Sequence, residues 1–196
     1  MLGRPQLSIA LTTICLVAAA PRAHASGCPP VPAERGSASR ANDNRASGGT
    51  LREGALQLRL VARAVDWHPE GPNGCTLRVN AFAEEGKVAQ IPGPLVRVVA
   101  GTKVRVSVRN ALHSSLWLRG LQDRSTGLLD SVEITSGATH DFEFVATTPG
   151  AWYYWAGSET SRIPASNANG ELAGALVVDP PAAASPAGDR VFVMTR

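Results

Sequence analysis

The stretch Val104-Arg105-Val106-Ser107-Val108-Arg109 alternates valine with a polar residue through three repeats. Successive side chains of a strand point to opposite faces, so the three valines share one face and Arg105, Ser107 and Arg109 the other. Upstream, Leu56-Gln57-Leu58-Arg59-Leu60-Val61-Ala62 and Leu77-Arg78-Val79-Asn80-Ala81-Phe82 read the same way. Downstream the series continues through Leu116-Trp117-Leu118, Val132-Glu133-Ile134, Phe142-Glu143-Phe144-Val145, Trp152-Tyr153-Tyr154-Trp155 and Ala175-Leu176-Val177-Val178. Turn signals such as Pro69-Glu70-Gly71-Pro72-Asn73-Gly74, Pro92-Gly93-Pro94 and Pro149-Gly150 punctuate the strands, and no segment sustains a helical period. Many short strands with frequent turns predict an all-β, Greek-key β-sandwich.

The flanks of this series have a different character. Arg4, the apolar run Leu7 to Ala20 and the small-residue site Ala23-His24-Ala25 predict an export signal over residues 1–25, removed to leave a secreted or periplasmic chain starting at Ser26. This largely apolar run is 14 residues long, shorter than the ~20 that span a bilayer, and no other membrane span is expected after cleavage. Residues 26–50 are rich in Pro, Ser, Gly, Asn and Arg without a period, and are read as a flexible arm. Residues 51–180 hold the strands; 181–196 are read as a Pro/Ala linker and, from Asp189 to Met194, the opening strand of a further domain or a strand pairing back on the first. Without Arg4 and Arg22 the positive count falls from 19 to 17 against 16 acidic groups, a net charge of +1. With no basic run present, nucleic acid is not an expected partner.

Cys15 lies in the signal, which leaves Cys28 and Cys75 in an oxidising compartment where a disulfide is permitted. The loop so closed has 48 residues counted inclusively, for which chain entropy gives roughly 4 kcal/mol. The competing reading makes Cys28 a lipidated first residue, against which Ala25-Ser26-Gly27-Cys28 lacks the usual leucine three places earlier.

Four stretches, in order, resemble the multicopper oxidases over most of residues 91–180. Ile91-Pro92-Gly93-Pro94-Leu95-Val96-Arg97, followed by Ala100-Gly101-Thr102 and the Val104 strand, is similar to the family's Pro-Gly-Pro strand and Gly-turn hairpin. Leu116-Trp117-Leu118-Arg119-Gly120-Leu121 stands in the place of the His-Trp-His-Gly-Leu motif. Pro149-Gly150-Ala151-Trp152-Tyr153-Tyr154-Trp155-Ala156-Gly157 stands in that of Gly-Thr-Tyr-Trp-Tyr-His-Ser-His, and Leu172 to Pro180 resembles the closing strand. Ala41-Asn42-Asp43-Asn44-Arg45 and Phe82-Ala83-Glu84-Glu85-Gly86 are similar to a bacterial subgroup with altered copper motifs. The resemblance implies a cupredoxin-like fold, the first plastocyanin-like domain of a copper oxidoreductase, with further cupredoxin domains as partners if the chain is a fragment.

In that family two His-x-His pairs on this domain supply half the ligands of a trinuclear copper site. Residues i and i+2 of a strand share a face and can hold neighbouring metals. Alignment through Gly120 and Gly150 places Trp117, Arg119, Trp155 and Gly157 at the four ligand positions, and none of these can bind copper. Beyond the signal the only histidines are His68, His113 and His140, never two residues apart, and the only methionine is Met194. No copper, catalytic or cofactor-binding residue is therefore expected within this chain, and whether it contributes to an enzyme is left open.

The aromatic run 152–155 has two readings, core packing or the platform of a stand-alone secreted binding module; an Arg119 stack on Trp155 or Trp117 would fill the vacated copper cavity. His113, Asp130, Ser131, His140 and Asp141 suggest a hydrolase only by residue type, since no nucleophile elbow or triad order accompanies them. Asp66, Glu70, Asp123 and Asp130 match no calcium-loop spacing. The reading that results is a secreted multicopper-oxidase-like domain without copper ligands of its own, a structural N-terminal part of a longer protein.

Overall fold

The computed structural model describes Cys28, Pro30 and residues 36–125, 131–157, 171–181 and 189–194. The signal reading, Asp130 and most of the Pro/Ala linker lie outside them. All regular elements among the described residues are strands. They are β1 (Ser37–Ala41), β2 (Thr50–Arg52), β3 (Ala55–Trp67), β4 (Leu77–Glu84), β5 (Ala89–Ile91), β6 (Gly93–Val99), β7 (Lys103–Asn110), β8 (Leu116–Arg119), β9 (Ser131–Ile134), β10 (Thr139–Val145), β11 (Gly150–Gly157) and β12 (Ala173–Asp179).

They form two sheets. The first runs β10-β7-β3-β1-β5, with β2 and β4 also paired to β3; the second runs β6-β12-β11-β8-β9. The alternation in β7 decides which face is inside: Val104, Val106 and Val108 are buried, whereas Arg105 and Arg109 are exposed. Leu56, Leu58, Leu60 and Phe82 join these valines from the first sheet. Val96, Val98, Leu118, Tyr154, Leu176 and Val178 meet them from the second, giving the interleaved core of a sandwich. Asn110 is fully buried at the end of β7, where its amide donates to the carbonyls of Ser114 and Ile134 and its Oδ1 accepts from Leu112 N.

Within the stretch read as a flexible arm, Ser37–Ala41 is a strand of the first sheet, which corrects that expectation for these residues. β1 pairs in parallel with β3 on one side and β5 on the other. Its sequence, Ser-Ala-Ser-Arg-Ala, carries no alternation because it is held by partners rather than by an apolar face. Asp66 is the fastening point. Its carboxylate accepts from Gly36 N at 2.9 Å and Arg78 Nε at 2.7 Å, and its carbonyl from Ser39 Oγ at 2.6 Å. Cys28 is joined to Cys75, just before β4, with the two Cα atoms 5.2 Å apart. At the other end, residues 189–194 form no strand; they lie along the outer face of the second sheet, where Val191 and Val193 pack on Leu95, Ala175 and Val177.

Candidate functional site

The four positions that the motifs assign to copper ligands lie on β8 and β11, which pair antiparallel in the second sheet. The register sets Trp155 opposite Arg119 and Gly157 opposite Trp117. The four therefore form two adjacent cross-strand rows, close enough for their side chains to meet. In β8, Leu116 and Leu118 turn into the core and leave the half-buried Trp117 and Arg119 on the outer face. In β11, Tyr154 points inward, which puts Tyr153 and Trp155 outward by alternation.

What fills this place is a ring and a cation. The Arg119 guanidinium carbon sits 4.8 Å from the centroid of the Trp155 ring, within cation–π range. Arg119 Nη1 donates to the carbonyl of Trp117 at 3.4 Å, and burial lowers the pKa of the guanidinium from its ordinary value. Trp155 is 1% exposed, and its Nε1–H has no hydrogen-bond partner among the described residues. A second stack stands nearby, with Arg124 5.6 Å over Trp152. Arg124 Nη2 donates to the carbonyls of Tyr153 at 2.9 Å and Gly120 at 3.2 Å, tying the turn after β8 to β11. Gly120 has φ +89, and a Cβ there would collide with the Tyr153 carbonyl, so the motif's glycine keeps its geometric duty although its histidines are gone.

These residues do not fit copper. An indole nitrogen has no lone pair outside its ring, a guanidinium is a cation with five donors and no acceptor, and glycine has no side chain. A copper ion would also face the charge of Arg119. Among the described residues no cluster of three or more His, Cys, Asp or Glu suited to a metal occurs.

The remaining candidates are scattered. Ser131 opens β9 in the second sheet, whereas His140 and Asp141 lie on β10 in the first. His140 packs edge-on against Phe142 with ring centroids 4.7 Å apart. Asp141 faces Ser107 across the β10–β7 ladder. Asp66 is taken up by Arg78. Burial pushes the Asp123 carboxyl up, but hydrogen bonds from Ser125 and from Thr147 N (2.9 Å) and Oγ1 outweigh it and hold the carboxyl well below the usual carboxylate range. Arg124 carries structural ties that the sequence did not single out, and those of Arg97, Asn42 and Asn44 fall inside stretches quoted only for their family resemblance.

Comparison with known proteins bears on the family and the fold. The model of the multicopper oxidase family matches residues 86–183, which is 98 of 196 residues. A curated relative from Kuenenia stuttgartiensis, described as a probable nitrite reductase-hydroxylamine oxidoreductase fusion protein, is 27% identical over 154 residues, covering 74% of this chain and 18% of the relative. Among solved structures, Lac15 from a marine microbial metagenome superposes with a TM-score of 0.51 at 18% identity, over 63% of this chain and 32% of that one. The blue copper oxidase from Nitrosomonas europaea gives 0.50 at 21% identity, over 66% and 40%. The chain thus spans less than half the length of each. No helix among the described residues is long and apolar enough to cross a membrane.

Proposed function

The chain belongs to the multicopper oxidase family, and from that premise we propose that it is a copper-free cupredoxin-like domain, exported and serving as a structural N-terminal part of a longer copper oxidoreductase-like protein. The observation that carries this reading is the Arg119–Trp155 stack, which occupies the rows where the family places copper ligands. Further support comes from length, since the chain spans 18% of its curated relative. In this reading copper, electron transfer and substrate belong to other domains of the whole protein, and this one supplies a rigid sandwich with a closed face toward them.

Burial of the aromatic run weakens the case for a stand-alone binding module. Tyr154 and Trp155 are 0% and 1% exposed, Trp152 is half-buried, and only Tyr153, at 44%, offers a ring to solvent. The test is the native product. An antibody against the folded domain should detect, in the exported fraction of the source cells, a polypeptide well above 20.5 kDa that contains copper. A stable product of that size or smaller, free of copper and of partner chains, would contradict the proposal.

A further inference from the structure

Residues 189–194 are held on the second sheet in an unusual way. Among the described residues they make no backbone ladder with β6, β12 or β11. Their side chains alternate instead: Val191 and Val193 face the sheet, whereas Phe192 and Met194 are 79% and 92% exposed. Among the described residues their backbone is tied by Asn44, whose Nδ2 donates to the Val191 carbonyl at 3.0 Å. The main fastening is ionic. Arg97 donates through Nη1 and Nη2 to both oxygens of Asp189 at 2.9 Å, and through Nε and Nη2 to both oxygens of Asp179 at 2.8 and 2.9 Å.

We propose that Asp189–Met194 is a displaceable strap, fastened by Arg97, whose release uncovers the apolar outer face of the second sheet while leaving the sandwich folded. The unequal burial of the two carboxylates supports this. Asp179 and Arg97 have side chains 15% and 14% exposed, and both sit on strands of the sheet; Asp189 is 40% exposed and off it. If Asp189 leaves, Arg97 remains neutralised by Asp179, so release strands no buried charge, the usual reason such pairs resist opening. The strap already stands away from β11, leaving a cleft of about 270 Å³ bounded by Trp152, Tyr153, Ala173, Val191 and Val193. Its release would bare Leu95, Ala175 and Val177 as well.

The experiment uses the tag-free mature chain and its Asp189→Ser, Asp189→Lys and Asp179→Asn variants. Chymotryptic cleavage after Phe192 is followed by mass, with each rate normalised to a peptide of the same sequence. An apolar fluorescent dye reports the uncovered face. Both Asp189 variants should be cleaved roughly two- to fivefold faster than the parent, the change expected from losing an ion pair of this exposure. They should also bind more dye and keep the parent's urea midpoint. Asp179→Asn should lower the midpoint itself. Unchanged cleavage in both Asp189 variants would overturn the proposal, and so would acceleration that appears only in step with a fallen midpoint.

Discussion

Replacing Trp155 tests how the vacated ligand positions are filled. Trp155 is 1% exposed, beneath the Arg119 guanidinium at 4.8 Å. Truncating a buried tryptophan to alanine costs about 3–5 kcal/mol through lost burial and the cavity left behind, and the stack adds roughly 1 kcal/mol. Against this, the indole Nε1–H is buried without a partner among the described residues, a defect worth about 1–3 kcal/mol that the substitution removes. The net for Trp155→Ala should therefore lie near the lower bound, about 3 kcal/mol. In a domain of this size that is a fall in Tm of roughly 6–12 °C. Trp155→Phe keeps a ring under Arg119 and deletes the unpartnered donor, so it should cost about 1 kcal/mol or less. Urea unfolding of the three proteins, read by circular dichroism with m values compared, is the assay. An alanine variant within about 1 kcal/mol of the parent would show that the ring is not packed. A phenylalanine variant as damaging as alanine would show that the N–H is bonded after all.

Tyr154 is fully buried and donates to the Pro94 carbonyl at 2.6 Å; burial raises its pKa well above the ordinary value. The unfolded chain then loses its proton first, so stability should fall as pH rises above about 10. Tyr154→Phe should flatten this alkaline limb in denaturant titrations at fixed pH. A Cβ at Gly174 would run into the Tyr154 ring, so Gly174→Ala should cost about 1–3 kcal/mol by overpacking; a neutral result in thermal unfolding would refute that contact. Replacing both Cys28 and Cys75 by alanine should lower stability by roughly 2–4 kcal/mol through the freed loop. Free thiols in the unreduced parent, measured by mass after alkylation, would show the bridge is absent.

Several strands of the core were legible because one face is buried and the other is not. The Val104, Val106, Val108 alternation needs no partner to be read, and β3, β4, β8, β9 and β10 follow from the same period, whereas β11 and β12, buried on both faces over much of their length, are legible as short apolar runs between turn signals. β1 was not legible, because Ser37–Ala41 owes its conformation to hydrogen-bonded neighbours on both sides and to Asp66, 27 residues from Ser39. At the candidate site, the motifs named the residues and strand alternation gave their faces. Which residue opposed which did not follow, because the β8–β11 register depends on how two distant segments dock. That register selects Trp155 rather than Trp117 as the partner of Arg119. The Arg97 clamp was hidden for the same reason, since its two carboxylates are 82 and 92 residues away.

The central claim, that the copper-ligand positions Trp117, Arg119, Trp155 and Gly157 hold no metal, is tested most directly by metal content. Tag-free mature chain is loaded with copper, desalted and measured by elemental mass spectrometry. The account predicts far less than one copper per chain, with an unfolding midpoint that does not respond to copper. One tightly retained copper per chain, accompanied by a raised midpoint, would contradict it.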